Sequence, residues 1–341
     1  MALIFFVYPL ARLGAWWQWP GGVVTGVCAF GFASQFISRF ALRNPTRAPA
    51  RFARQALDGL LGISPVLLVL VLAGEVVLWT GALSPFWVAN LVLLGTLAAA
   101  LYGALRARTP EIVEITVPSS KLDAPVRFAQ ISDVHIGSRS GAFLERVMAR
   151  VQAAKPDFLC ITGDLVDQVG ITQEQLAPIG RFDGAVYFST GNHEFYEDLD
   201  AILERLTNLG VRVLRQATAQ QGAIQIIGVD DHDHPDRLQT VLPQLPLDAD
   251  AFKLLMYHRP TGLEHAADHD IDLMISGHTH NGQIKPFDAA VRLQFKYLHG
   301  AHRAPNGDTL LYVNQGTGTW GPTLRLGTRC EITVFTLQPV S

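Results

Sequence analysis

Val126-Arg127-Phe128-Ala129-Gln130-Ile131-Ser132-Asp133-Val134-His135 reads as a strand that delivers an Asp-x-His pair at its carboxyl end. The same pattern recurs along the chain. Phe158-Leu159-Cys160-Ile161 leads to Gly163-Asp164, and Val186-Tyr187-Phe188 leads to Gly191-Asn192-His193. Leu254-Leu255-Met256 ends at His258, and Leu273-Met274-Ile275 ends at Gly277-His278-Thr279-His280. Residues 111–117 and 223–229 have strand character too, the latter ending at Asp230-Asp231. Between the strands, Phe143, Val147 and Val151 recur at helical spacing and stop near Lys155-Pro156; Leu199, Ile202, Leu203 and Leu206 mark another helix. Strands alternating with helices predict an α/β domain. Such sheets bind ligands just past the carboxyl ends of their strands, where these polar residues stand.

The first hundred residues are of another kind. Residues 1–105 contain only Asp58 and Glu75 as acids, and the composition turns ordinary at Thr109-Pro110. The expected division is a membrane region, 1–108, and a globular domain, 109–341. Four apolar stretches, about 2–18, 21–38, 60–81 and 86–105, have roughly the length a helix needs to cross a bilayer. A cleaved signal peptide fits poorly, because no basic region opens the chain and apolar character returns after residue 20. Arg39, Arg43, Arg47, Arg51 and Arg54 lie between the second and third stretches, and Arg106 and Arg108 follow the fourth. The short loops at Trp19-Pro20-Gly21 and Gly81-Ala82-Leu83-Ser84 are uncharged. By the positive-inside rule both termini are expected inside, with a multi-pass inner-membrane region and the globular domain on the cytoplasmic side, among membrane lipids. Glu75 falls within the third stretch, where an acid needs a partner; Arg12 is the candidate.

Net charge is −3, which gives no electrostatic case for nucleic acid as a partner. Cys28, Cys160 and Cys330 show no paired spacing, so neither disulfides nor a thiolate metal site is expected. The motif residues are instead Asp, Asn and His, a donor set that suits Mn, Fe, Zn, Ni or Co. Seven candidate ligands exceed the needs of one ion. Two ions can clamp a phosphate and activate a hydroxide for in-line attack. Gly163, Gly191 and Gly277 precede three of the motifs, and turns with positive φ are expected there to swing the ligands inward.

The series Asp-x-His, Gly-Asp, Gly-Asn-His, a lone His and Gly-His-x-His resembles the calcineurin-like metallophosphoesterase superfamily, over about residues 125–334. Gly191-Asn192-His193-Glu194, the run from Gly277 to Ile284, and Asn314-Gln315-Gly316-Thr317-Gly318 look like its bacterial membrane-associated branch. Asn281 stands where that branch often has a second Gly, and Cys330 replaces the Pro of its usual closing motif. The resemblance implies a four-layer α/β/β/α sandwich preceded by the transmembrane helical region. It implies that Asp133, His135 and His280 hold one metal ion, Asn192, His258 and His278 a second, and that Asp164 bridges them. His193 would bind no metal and would protonate the leaving oxygen or stabilise the charge growing there, with Asp167 orienting it. The cofactor expectation is two divalent ions, manganese first, with Fe, Zn, Ni or Co as alternatives. The expected reaction is hydrolysis of a phosphodiester, pyrophosphate or phosphomonoester, with a lipid-linked substrate such as UDP-diacylglucosamine suggested by the helices. The alternative is a non-catalytic membrane scaffold or sensor on the same fold. His232 and His234 read as a solvated loop, and the sequence leaves the oligomeric state open.

Overall fold

The computed structural model describes residues 2–42, 45 and 47–340. Arg43 of the basic loop lies outside them. The chain forms two compact units: one runs to Arg106 and also includes Ile284–Phe287 and Gly321–Gly327, and the other comprises the remainder. Two short segments from the C-terminal part thus group with the N-terminal helices.

The helical unit contains a π-helical turn, Leu3–Val7, followed by α1 (Tyr8–Trp16), α2 (Gly21–Phe36), α3 (Ala48–Trp79) and α4 (Pro85–Arg106). Three helical stretches, Gly21–Ala41, Pro49–Trp79 and Pro85–Arg106, are long and apolar enough to cross a membrane. The first, Leu3–Trp16, is shorter. At 1.5 Å per residue it reaches about 21 Å, against a hydrocarbon core of about 30 Å. Of four expected spans, three thus have spanning length. Arg51 and Arg54 belong to α3 rather than to a loop, and Arg54 pairs with Asp58 one turn on, at 3.6 Å. Leu13, Trp16, Val71, Val88, Ala89 and Val92 pack as one core. Leu72, Val76, Leu94, Leu97 and Leu101 face outward and exposed, the arrangement of helices that are apolar all round. Arg12 reaches Glu75 through both Nε and Nη2, the latter at 2.9 Å, so the acid within α3 has the expected partner. A second apolar cluster in this unit joins Ile284, Leu324 and Leu326 to Ile63, Val66, Ala99, Ala104 and Phe287. Arg325 N donates to Gly103 O at 3.0 Å, tying one of the two late segments to α4.

The second unit is built on two six-stranded sheets. Its elements begin with β1 (Glu111–Ser119), β2 (Val126–Ile131), α5 (Gly141–Ala153), β3 (Phe158–Thr162) and α6 (Gln173–Gly180). They continue with β4 (Ala185–Ser189), α7 (Asn192–Tyr196), α8 (Leu199–Asn208), β5 (Arg212–Val213), β6 (Ala217–Gln221) and β7 (Ile224–Val229). The last are α9 (Arg237–Val241), β8 (Phe252–Tyr257), α10 (Leu263–Ala267), β9 (Leu273–Ser276), β10 (Gly300–Arg303), β11 (Leu310–Val313) and β12 (Glu331–Pro339). The strand orders are β1-β12-β2-β3-β4-β5 and β10-β11-β9-β8-β7-β6. Side-chain alternation along the strands separates the layers. Leu159 and Ile161 of β3 face Val147, Leu176 and Leu206 on the outer helices. Phe158 and Cys160 of the same strand face Phe252, Leu254 and Met256 of β8, so the sheets pack face to face. Leu255 and Tyr257 of β8 then pack on Leu238, Val241 and Leu263 beyond the second sheet. The result is the α/β/β/α sandwich. β2, β3 and β4 run parallel in one sheet, and β7, β8, β9 and β11 in the other, which brings the carboxyl ends of both sets to one edge.

Candidate metal centre

Each motif is a tight departure from a strand end. β2 delivers Asp133 and His135, β3 delivers Asp164, and α7 after β4 opens on Asn192 and His193. β8 ends at His258, and His278 and His280 follow β9. Positive φ falls mainly on the motif residues themselves: Asp133 53°, His135 56°, Asp164 51°, His278 71° and His280 49°. Left-handed backbone is uncommon away from glycine and clusters at functional sites. Of the three glycines expected to supply it, only Gly163 does, at 77°. Gly191, at φ −100°, is needed for space. A Cβ there would collide with the Asp164 carboxylate, and one at Gly277 would meet Ser132 Oγ and Asp133.

The side chains converge as three overlapping groups of possible ligands, one of them His135, Asp164 and His193. One ligand atom each from Asp133, His135 and His280 lie within 4.8 Å of one another, as do those of Asp164, His258 and His278. Asp133 Oδ1 is 3.3 Å from His280 Nε2, which is 3.1 Å from His135 Nε2. Asp164 Oδ2 lies 3.2 Å from His258 Nε2 and 3.9 Å from His135 Nε2, so it stands between histidines carried by opposite sheets. His278 Nδ1 is 3.2 Å from His258 Nε2. Asp133, His135, Asp164 and His258 are buried, while Asn192, His193 and His278 are half-buried.

These atoms fit a divalent cation. His258 Nδ1 faces Thr162 O at 2.7 Å; a carbonyl only accepts, so Nδ1 donates and Nε2 is left for the site. Burial pushes the Asp133 and Asp164 carboxyls up, but the facing histidines outweigh it and hold both well below the usual range. Burial lowers His258, yet Asp164 raises it further, well above an ordinary histidine. Burial, reinforced by the charge on His258, depresses His278 to about 3. The site thus concentrates negative potential on ring nitrogens, and a bound cation would take the place of the His258 proton. Asn192 Oδ1 supplies the independent mark, since it is buried and has no hydrogen-bond partner.

Glu194, overlooked as a functional residue in the sequence, organises the turns. Its fully buried carboxylate accepts from Asp164 N (3.0 Å), Leu165 N (2.8 Å), Val166 N (3.2 Å) and Gly191 N (2.8 Å). It therefore fixes the Gly-Asp turn against the Gly-Asn-His turn. Desolvation, then Asp164, pushes its carboxyl up to about 7. Its spacing, three residues after Gly191, the residue that caps α7, is the signal that could have found it. His193 N donates to Asp164 Oδ1 at 2.8 Å, and its ring lies near Tyr196 and Trp320, with centroids 5.6 and 6.1 Å away. Burial, then the charge of His135, lowers the His193 imidazole. Asp167 accepts from Ser138 N and Oγ at 2.8 and 2.6 Å and lies 3.4 Å from His135 Nδ1. Asp167 thus stands beside His135, whose Nδ1 has no hydrogen-bond partner at that separation. His232 and His234 lie exposed on a loop, as expected.

The two sheets of the α/β/β/α sandwich jointly deliver Asp, Asn and His to one edge, a donor set that suits divalent metal ions. The sequence profile of the calcineurin-like phosphoesterases matches residues 126–282. The chain is 33% identical over 259 residues to an uncharacterized metallophosphoesterase of Helicobacter pylori strain J99, covering 73% of this chain and 69% of that one. It is 30% identical over 272 residues to a transmembrane protein with metallophosphoesterase domain from Danio rerio, covering 73% and 62%. Among solved structures, the phosphopantetheinyl hydrolase of Mycobacterium tuberculosis aligns over 60% of this chain and 96% of that one, at 13% identity and a TM-score of 0.37. The chain belongs to the calcineurin-like phosphoesterase family, and its bacterial relatives match the membrane-associated branch.

Proposed function

We propose that the chain is a membrane-anchored phosphoesterase in which Asp133, His135 and His280 hold one divalent ion, Asn192, His258 and His278 hold another, and Asp164 is shared. The observation that carries this reading is the Asp164 carboxylate standing between His135 and His258, with the unpartnered Asn192 Oδ1 alongside. Ions bound there, manganese first, would neutralise the phosphate and lower the pKa of water. The protein's own groups supply the remainder. Glu194 and the backbone N–H of His193 hold Asp164 in place. The His193 imidazole, beside Tyr196 and Trp320, gives a proton to the departing oxygen. Asp167 positions His135.

The substrate reading is a phosphoester carried on an amphiphilic or lipid-linked molecule, supported by three helices able to cross a membrane. Arg39, Arg47, Arg51, Arg54, Arg106 and Arg108 support a cytoplasmic placement of the sandwich in the inner membrane. The test uses the full chain purified in detergent, loaded with Mn²⁺ and assayed on bis-p-nitrophenyl phosphate and on UDP-diacylglucosamine, with metal content measured in parallel. Turnover with about two ions per chain is expected. Bound metal without turnover of any phosphoester would sink the enzymatic reading, and turnover of the soluble diester alone would remove the lipid-linked one.

A further inference from the structure

Asn314-Gln315-Gly316-Thr317-Gly318 leaves the end of β11 buried, yet it contributes none of the candidate ligands. Its hydrogen bonds lead to two of them. Thr317 N donates to Ser132 O at 2.7 Å, Ser132 N to Thr317 Oγ1 at 3.2 Å and Gly318 N to Asp133 O at 3.0 Å, which clamps the backbone of the Asp133 turn. The approach needs glycine at 318, because a Cβ there would lie 2.1 Å from Val134 O. The second lead runs to the turn that carries His280. Asn281 Nδ2 donates to Gln315 Oε1 at 3.0 Å, and Gln315 Nε2 donates to Glu331 Oε2 at 3.0 Å, all three side chains being buried. The direction of this chain of bonds is fixed from its far end. A carboxylate only accepts, so Glu331 meets the Gln315 amide nitrogen; Gln315 then presents its oxygen, and Asn281 must present its nitrogen. Glu331 is itself held, with Oε1 accepting from Tyr312 Oη of the opposite sheet at 2.7 Å and from Thr333 Oγ1 at 2.9 Å.

The turn at the near end is one that needs holding. His280 and Asn281 are both left-handed, at φ 49° and 50°, a conformation that persists away from glycine only where the surroundings enforce it. Asn281 Oδ1 is buried without a hydrogen-bond partner, so the bond to Gln315 is what orients this amide. We infer that Glu331, Gln315 and Asn281 are positioning residues that set His280, and that with Thr317 and Gly318 they preorganise Asp133 and His280 for the same ion. The inference rests on the two-ion reading above and adds a division of labour to it. The turns that bring Asn192 and His258 to the other ion have separate anchors, the Glu194 carboxylate and Thr162 O. Contacts of this kind, one shell outside the ligands, are worth about 10–100-fold in metal affinity.

The test titrates Mn²⁺ into the metal-free, full-length chain in detergent by isothermal calorimetry, for the wild type, Asn281→Gly, Gln315→Ala and the double variant, with thermal melts in EDTA alongside. Glycine adopts the left-handed conformation freely, so N281G deletes the side-chain bond and keeps the turn available. In each single variant one of the two Mn²⁺ affinities should fall about 10–100-fold while the other stays at its wild-type value. The double variant should bind no more weakly than the weaker single one, because the same chain of bonds is cut in either place. In EDTA, N281G should melt with the wild type. Unchanged affinities in N281G overturn the inference. So does an equal loss at both ions with a lower melt in EDTA, which is what a merely structural role predicts. Losses that add in the double variant overturn it too, since the two residues would then act separately. N281G alone decides if Q315A does not fold. A wild type that binds fewer than about two ions refutes the two-ion reading, and the inference with it.

Discussion

Asn192→Ala separates a cation ligand from a structural residue by the sign of its effect. Asn192 Oδ1 is buried and unpartnered. In a chelator, such an acceptor costs about 1–3 kcal/mol, so deleting it should leave stability unchanged or raise it slightly. With Mn²⁺ at a hundred times its dissociation constant, the wild type gains about 2.7 kcal/mol from binding. Losing one ligand and 10–100-fold in affinity removes about 1.3–2.3 kcal/mol of that. For a unit of this size, roughly 2–4 °C accompanies each kcal/mol, so the variant should melt about 3–9 °C below wild type in Mn²⁺. In EDTA it should melt at the same temperature or above. The measurement is thermal unfolding of the full chain in detergent, followed by tryptophan fluorescence; Trp320, beside His193, is a reporter within the site. Equal destabilisation with and without metal would refute the reasoning, because it would make Asn192 a support of the fold.

His193→Ala should lower turnover by about 10²–10⁴ while metal content, read by mass spectrometry, stays at the wild-type level. Asp164→Ala should lose turnover and metal together, and retention of full metal by that variant would contradict a shared ligand. In the helical unit, Arg12→Leu or Glu75→Leu alone strands one charge of the pair and should lower the melting temperature, whereas the double substitution should restore most of it. Thermal melts in detergent decide this, and a double variant as damaged as either single one would show that the pair contributes by packing instead.

Much of the sandwich was legible because its strands are short apolar runs that stop at a polar residue, and period-two burial leaves that mark in any sequence. The convergence of the ligands followed, since parallel strands present their carboxyl ends at one edge. The reasons for the glycines were not legible. Sequence shows where glycine stands but not whether it is needed for φ or for the absent Cβ, and at Gly191 the neighbouring Asp164 decides. Which imidazole Asp167 stands beside was not legible either, because His135 and His193 lie edge to face, with centroids 4.8 Å apart; spacing alone cannot resolve a choice made at that distance. β12 was invisible for another reason. It inserts between β1 and β2, parallel to one and antiparallel to the other, so its place is set by partners some two hundred residues away in sequence. The length of α1 was misjudged because apolar content continues through Trp17 to Trp19 after the helix has ended at Trp16.

The membership of Ile284–Phe287 and Gly321–Gly327 in the helical unit has a practical consequence. A chain shortened to begin near residue 107 would keep Ile284, Phe287, Leu324 and Leu326 but lose Ile63, Val66, Ala99 and Ala104, which cover them. It would present a new sticky face to water and tend to self-associate. The N-terminal helices are thus a packing partner for two loops of the C-terminal half. Excising them would leave that half with part of its apolar packing turned outward.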